Sequence, residues 1–370
     1  MSEFDVAIIG AGVVGLAVAR AYAEGGARVA VLERHSGPGR EQSTHNSGVV
    51  HSGLFARPGT LRARLNVEGN ARLYEVAPTL GVRIERCGTL VVANSQRDLP
   101  RLRQYELWGR SNGVPGVRPV TPQEVREIEP RIGPIEAALF APSGGRVDPA
   151  GLVDALANDV VRRSGSVRYD FEVTNASRTP AGWSIGTRGG VRIETGRVVN
   201  AAGAGGTQVA RALGVTGRPI YPCLGEYAKI VGSRQGWVRT MVYGFPPPGY
   251  AGIGVHLTKT IDGTVLIGPT ASYLDSAVAP ALPLTPLEEF ATLASAYLPG
   301  LTVTDLEPAQ AGVRAKTVPP GSGEAFGEFE IFEDPPGSGA VHLFGIESPG
   351  LTASLAIGEH VASRWPALRP

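Results

Sequence analysis

The 370 residues can bury a large core and form two domains, or one large α/β domain with an inserted part. Hydrophobic residues make up 42% and charged residues 19%, a globular composition, and a formal net charge of +1 argues against nucleic acid or an anionic membrane as a dominant electrostatic partner. Lysine occurs only as Lys229, Lys259 and Lys316, and the two cysteines, Cys87 and Cys223, form neither a C-x-x-C nor a zinc spacing, so they read as buried thiols in a reducing compartment, with no metal site expected.

Residues 6–9 form a short apolar run ending in glycine, as a buried parallel strand does. Residues 13–23 carry apolar residues at helical spacing, and 29–32 read as a second buried strand. Together they make one β-α-β unit. Its glycines, Gly10, Gly12 and Gly15, spell G-x-G-x-x-G. Gly10 permits the tight turn, Gly12 lets the backbone approach a pyrophosphate, and Gly15 lets helix and strand pack closely. The helix N-terminus offers free N–H groups to phosphate, and Glu33 closes the second strand where a carboxylate accepts from ribose hydroxyls.

A polar, glycine-rich stretch follows at residues 43–53. The pattern then predicts a helix over 61–80, a strand over 89–93, a helix over 99–111 and an acidic segment over 121–131. Asp148 and Pro149 read as the N-cap and first turn of a helix reaching Arg163. Residues 166–200 read as short strands with glycine turns. Residues 220–330 are strand-rich, with one helix near 286–297 and a strand over 253–258 that puts Gly254, His256 and Thr258 on one face. The chain closes as strand (341–344), glycine-rich turn (345–350) and helix (351–364). The first strand starts near Phe4, which leaves no room for a signal peptide, and no apolar run approaches the roughly 20 residues of a membrane span. A cytoplasmic protein is expected, or one peripheral at the inner face of a membrane.

The N-terminal unit holds NAD(P) or FAD in the same way, so the rest of the chain must choose. Two further pieces do: "RVVNAAG" at 197–203 and "FGIESPGLTASLAIGEHVA" at 344–362. The layout resembles the FAD-dependent oxidoreductases of the D-amino-acid oxidase superfamily. Within it, "HNSGVVHSGLFARPGTLRARLNVEGN", "GRVDPAGLVDALA", "CLGEYAKI", "GIGVHLTKTIDGTVLIGPTA" and "AGVRAK" are similar to the L-2-hydroxyglutarate dehydrogenase/oxidase family, over nearly the whole chain. Two stretches depart from that family's usual form: "VYGFPPPGYAG" at 242–252 and "ESPGLTAS" at 347–354.

The resemblance implies an α/β (α+β) fold: a discontinuous Rossmann-like FAD-binding domain (1–82, 146–218, 336–370) and a discontinuous, mainly antiparallel substrate domain (83–145, 219–335). It implies non-covalent FAD held by Gly10, Gly12, Val14, Gly15, Glu33, Arg34, Thr44, Ser47, Gly48, Val173, Ala202, Gly203, Ser348, Gly350, Leu351 and Thr352. In this set Val173 meets the adenine through its backbone, and the 348–352 turn aims helix N–H groups at the flavin edge that gains charge on reduction. His45 or His51 is the place where a covalent flavin link would form.

Oxidising a 2-hydroxy acid needs a base for the hydroxyl proton, flavin N5 for the hydride and cations for the carboxylates. His51 and His256 are the base candidates, Arg314 the carboxylate holder, and Tyr243, Glu226, Tyr227 and Lys316 the other pocket contacts. The expected reaction converts L-2-hydroxyglutarate, a 2-hydroxy dicarboxylic acid, to 2-oxoglutarate, with oxygen, a quinone or an electron-transfer protein as acceptor. The rivals are an amine or amino-acid oxidase of the glycine or sarcosine type, a glycerol-3-phosphate dehydrogenase-like enzyme, and a flavin-binding subunit without turnover.

Overall fold

The computed structural model describes residues 2–245, 254–277 and 281–368. An eight-stranded sheet is built around Phe4–Ile9, which pairs in parallel with Val29–Leu32 on one side and Arg192–Asn200 on the other. Ser166–Arg168 extends it beyond Val29–Leu32, and Ala340–Phe344 pairs in parallel with the end of Arg192–Asn200. These strands are apolar on both faces because helices cover them: residues 6–9, 29–32 and 340–344 are all buried.

Helix Val13–Glu24 packs against Pro149–Arg162 and Gly350–Arg364, and Leu61–Thr79 lies on Gly350–Arg364. Glycine sets these approaches. A Cβ on Gly358 would overlap the Ala17 carbonyl, and one on Gly69 the Thr352 carbonyl. Both helices after Pro/Gly-rich turns have the caps their sequences offer. Asp148 Oδ1 accepts from the Gly151 N–H at 3.0 Å, and Thr60 Oγ1 from the Ala63 N–H at 3.1 Å. Arg20 and Asp159 close the helix layer with a buried ion pair at 2.9 Å.

A second sheet, of nine strands, takes its strands from 89–141 and 221–316. It is antiparallel except where Met241–Tyr243 runs parallel to Thr89–Ala93. Its longest pair joins Tyr221–Ile230 to Leu306–Lys316, with an irregularity between Glu226 and Ala228. Helix Leu287–Ser295 covers this sheet, and Phe290, Ala294 and Leu298 pack in its core. A small sheet of Val49–Val50, Gly145–Val147 and Ile84–Arg86 stands apart from both.

Two expected boundaries shift. Glu330–Glu333 pairs with Ala340–Phe344, so it belongs to the first sheet rather than to the second region. Ile84–Arg86 joins the small sheet with Val49–Val50 and Gly145–Val147. The strand expected from residue 253 is seen as His256–Lys259; Ile253, and residues 246–252 of the divergent "VYGFPPPGYAG" stretch, lie outside the described residues.

Candidate active site

One cavity of about 460 Å³ runs between the first and second sheets. One end is walled by Gly10, Gly12, Val14, Glu33, Arg34 and Val173, the other by His51, Tyr227, His256 and Arg314. The terminal turn, through Glu347, Ser348, Gly350 and Leu351, also reaches the wall.

At the first end the backbone conformation requires glycine. Gly10 has φ +107°, and a Cβ there would stand 2.6 Å from the Ala201 carbonyl oxygen. A Cβ on Gly15 would overlap the Gly10 carbonyl oxygen, so Gly15 packs under the loop and does not line the cavity. Glu33 is buried, and its two oxygens accept from the Ala11 N–H at 2.8 Å and the His35 N–H at 2.9 Å. These bonds fix the carboxylate at the end of its strand and leave it further acceptor capacity. Ser43 Oγ accepts from the Val13 N–H at 3.0 Å, at the start of the helix.

The terminal turn presents a second helix start. Helix Gly350–Arg364 has no side-chain cap; the Gly350 N–H turns back to the Glu347 carbonyl, the Leu351 and Thr352 N–H groups remain donors, and Gly350 and Leu351 stand at the cavity wall. The turn is anchored from beneath by Lys316, fully buried, whose Nζ lies 3.0 and 3.1 Å from the Glu347 carboxylate oxygens and 2.6 Å from the Ala325 carbonyl. Lys316 was expected at the substrate; instead this ion pair takes it off the cavity wall.

Several other expected contacts also sit behind the wall. Thr44 Oγ1 turns to the Gly39 carbonyl at 2.5 Å, and its neighbours Ser43 and His45 face the cavity instead. Gly48, at φ +67°, packs on the Val147 carbonyl. Thr352 is buried, with its hydroxyl accepting from the His51 N–H at 2.9 Å, so it fixes His51 rather than lining the site. Glu226 points to the opposite face of its strand and accepts from the Thr285 hydroxyl and the Leu284 N–H. Gly225 and Tyr227, either side of it, line the cavity. Tyr243 lies behind His256, with ring centroids 4.3 Å apart, nearly parallel, and its hydroxyl has no partner among the described residues. Ser47, Ala202 and Gly203 line the cavity.

At the far end two histidines and an arginine converge. His256 Nδ1 lies 3.2 Å from the Gly254 carbonyl, which only accepts, so the proton is on Nδ1 and the Nε2 lone pair is left as an acceptor. Burial lowers its pKa to about 4, with the Gly254 bond acting against the shift and Arg314 reinforcing it. His51 Nε2 lies 3.1 Å from the Ser348 hydroxyl, and burial, aided by His256 and Arg62, lowers its pKa to about 3. Both rings are therefore neutral near pH 7. Arg314 donates to the Thr270 carbonyl at 2.9 Å and has no carboxylate partner among the described residues. This pairs a neutral base with an available guanidinium in one enclosed space.

Sequence reasoning missed Ser43 and Phe326 on the wall. Ser43 lies within the polar stretch already singled out, but nothing in its spacing separates it from Thr44.

The residues present fit FAD: a glycine cradle at a helix N-terminus, a buried ribose-side carboxylate, and an uncapped second helix start along one elongated cavity. Among the described residues no cluster of three or more His, Cys, Asp or Glu is placed to hold a metal, and no helix is long and apolar enough to cross a membrane. Cys87 and Cys223 are free thiols.

Comparison with known proteins agrees with this geometry. The chain is 33% identical to the L-2-hydroxyglutarate dehydrogenase of Salmonella houtenae, over 99% of this chain and 94% of that protein. It is 32% identical to the glycerol 3-phosphate dehydrogenase of Caloramator mitchellensis, over 97% of this chain and 73% of that protein. Its fold is similar to that of the L-alpha-glycerophosphate oxidase of Mycoplasma pneumoniae with FAD bound, with a TM-score of 0.87, 24% identity, and coverage of 100% and 97% of the two chains. The profile of the FAD dependent oxidoreductase (DAO) family matches residues 5–364. The chain belongs to that family and is an FAD-dependent oxidoreductase.

Proposed function

We propose that this enzyme oxidises L-2-hydroxyglutarate to 2-oxoglutarate. The observation that carries the reading is the placement of His256 and Arg314 on one cavity wall, the first neutral with a free acceptor nitrogen, the second without an acidic partner. Near-full-length similarity to proteins named L-2-hydroxyglutarate dehydrogenase supports it. Bound FAD supplies the acceptor for the hydride that leaves C2. Arg314 holds the C1 carboxylate through its planar fork. His256 Nε2 accepts the C2 hydroxyl proton as the hydride leaves. His51, held by Thr352 and Ser348, shapes the opposite side of the same space and is the alternative base.

In this reading FAD is held without a covalent bond, so acid precipitation leaves the yellow colour in the supernatant; a yellow pellet contradicts it. The enzyme works in the cytoplasm or at the inner face of a membrane and passes electrons to oxygen, a quinone or an electron-transfer protein. The test is the anaerobic visible spectrum of the holoenzyme with L-2-hydroxyglutarate, D-2-hydroxyglutarate, sarcosine and glycerol 3-phosphate in parallel. Bleaching of the band near about 450 nm by the L-acid, with 2-oxoglutarate formed, is the expected result. Bleaching only by sarcosine or glycerol 3-phosphate overturns the substrate.

A further inference from the structure

A small recess opens beside His51. Its walls are His51, Phe55, Ala56, Arg62, Asn66, Phe326, Ser348 and Pro349, and four of these, His51, Phe326, Ser348 and Pro349, also line the main cavity. Its volume of about 20 Å³ admits a water-sized polar group. Arg62 stands on its wall. It is the second residue of helix Leu61–Thr79, and its side chain is folded inward until the residue is 7% exposed. The guanidinium lies over the Phe326 ring, 4.3 Å from its centroid.

Arg62 is a buried cation with no acid in ion-pair contact among the described residues; Glu347 and Glu328 act on its guanidinium only at longer range. It donates from Nη1 to the Gly327 carbonyl at 2.6 Å and from Nη2 to the Ser348 carbonyl. Two of its five N–H donors are thereby used. Among the described residues no carboxylate lies within ion-pair distance of it. The two nearby acids are occupied elsewhere: Glu347 by Lys316, and Glu328 by the N–H groups of Leu61, Arg62 and Phe329. A buried guanidinium left in this state is costly unless an anion completes it. The contrast with Lys316, also buried but paired with Glu347, makes Arg62 the second cation that this end of the cavity offers to a ligand.

We infer that Arg62 forms a subsite for the second, distal carboxylate of a dicarboxylic substrate, with one carboxylate oxygen entering the recess and the rest in the main cavity, while Arg314 holds the carboxylate next to the reacting carbon. This deepens the reading proposed above and rests on it. It explains how one cavity selects a diacid: a monoacid satisfies Arg314 and leaves Arg62 unpaired.

The test uses dead-end ligands on the oxidised holoenzyme, read by perturbation of its visible flavin spectrum rather than by turnover. Glutarate and butyrate are titrated into the wild type, Arg62→Gln and Arg62→Lys. Glutamine keeps N–H donors for the Gly327 and Ser348 carbonyls and removes the charge. Lysine keeps the charge and loses the fork. The wild type is expected to favour glutarate over butyrate. R62Q is expected to lose roughly 10- to 100-fold in glutarate affinity with butyrate moved by less than about threefold, and R62K to fall between. Equal weakening of both ligands, an unchanged preference for glutarate in R62Q, or loss of FAD from both variants would assign Arg62 to supporting the turn and overturn the subsite. A wild type that prefers glutarate in binding yet is not reduced by L-2-hydroxyglutarate keeps the subsite and removes the proposed reaction.

Discussion

The two ends of the cavity are built by different means. At the nucleotide end the chemistry lies in the main chain: Gly10, Gly12, a helix start, and Glu33 tied to the Ala11 and His35 N–H groups. All of these fall within about thirty consecutive residues. At the substrate end the chemistry lies in side chains from His51, His256, Arg314 and Arg62, which the chain brings together from three distant segments. At the first end a Cβ on Gly10 or Gly15 would overlap a backbone carbonyl oxygen. The second is set by charge: Lys316 is paired with Glu347, while Arg314 and Arg62 have no ion-pair partner among the described residues. One end is a steric device and the other an electrostatic one, and the two should fail in different ways.

The largest expected effect strikes the charge balance. Lys316→Met leaves the Glu347 carboxylate buried without its cation, which costs about 3–5 kcal/mol of stability. Lys316→Met/Glu347→Leu together should recover most of that loss. Urea unfolding of the four proteins in the cycle measures it; a double variant as unstable as the single one would break the account of the turn. Next comes the steric end. Gly15→Ala drives a Cβ into the Gly10 carbonyl and should cost about 3 kcal/mol and release FAD, read as the flavin-to-protein absorbance ratio. Full FAD retention in that variant would contradict the steric description.

Arg314→Lys should keep FAD and raise KM for the hydroxy acid by a factor equivalent to about 1.5–3 kcal/mol, because the fork is lost while the charge stays. An unchanged KM would take the carboxylate away from Arg314. The smallest effect concerns pH. The base form of His256 is lost only as pH falls through about 4, because burial depresses its pKa. The log of kcat/KM should stay level from pH 8 to about 5. A histidine at its ordinary pKa of about 6.5 would already have lost about three-quarters of its base form at pH 6. A profile that bends near 6.5 would mean that His256 is solvated in the working enzyme.

The same contrast decides how much could be read from the sequence. The N-terminal unit was legible because strand, turn and helix are local and because glycine is needed for reasons of backbone geometry. The Asp148 cap and the helix at Leu99–Ser111 were legible for the same reason. The substrate end was legible only as residue types. Strand Tyr221–Ile230 is largely buried on both faces, so no polar alternation reveals that Gly225 and Tyr227 face the cavity and Glu226 faces away. Arg314 and Lys316 stand two residues apart, as if for a shared role. Glu347, 31 positions later, captures one of them, and nothing in the spacing announces this. Arg62 reads as one more arginine on an amphipathic helix until folding buries it. Thr44, Gly48 and Thr352 were assigned to the cofactor one position or one layer away from where they act.

The central claim is that a neutral His256 takes the substrate proton in the cavity that holds FAD. The most direct measurement is the anaerobic rate of flavin reduction by saturating L-2-hydroxyglutarate in His256→Gln, beside the wild type, with the FAD content of both determined. The predicted result is full FAD content with reduction slowed roughly 10²- to 10⁴-fold. Full FAD content with a wild-type rate of reduction would contradict it.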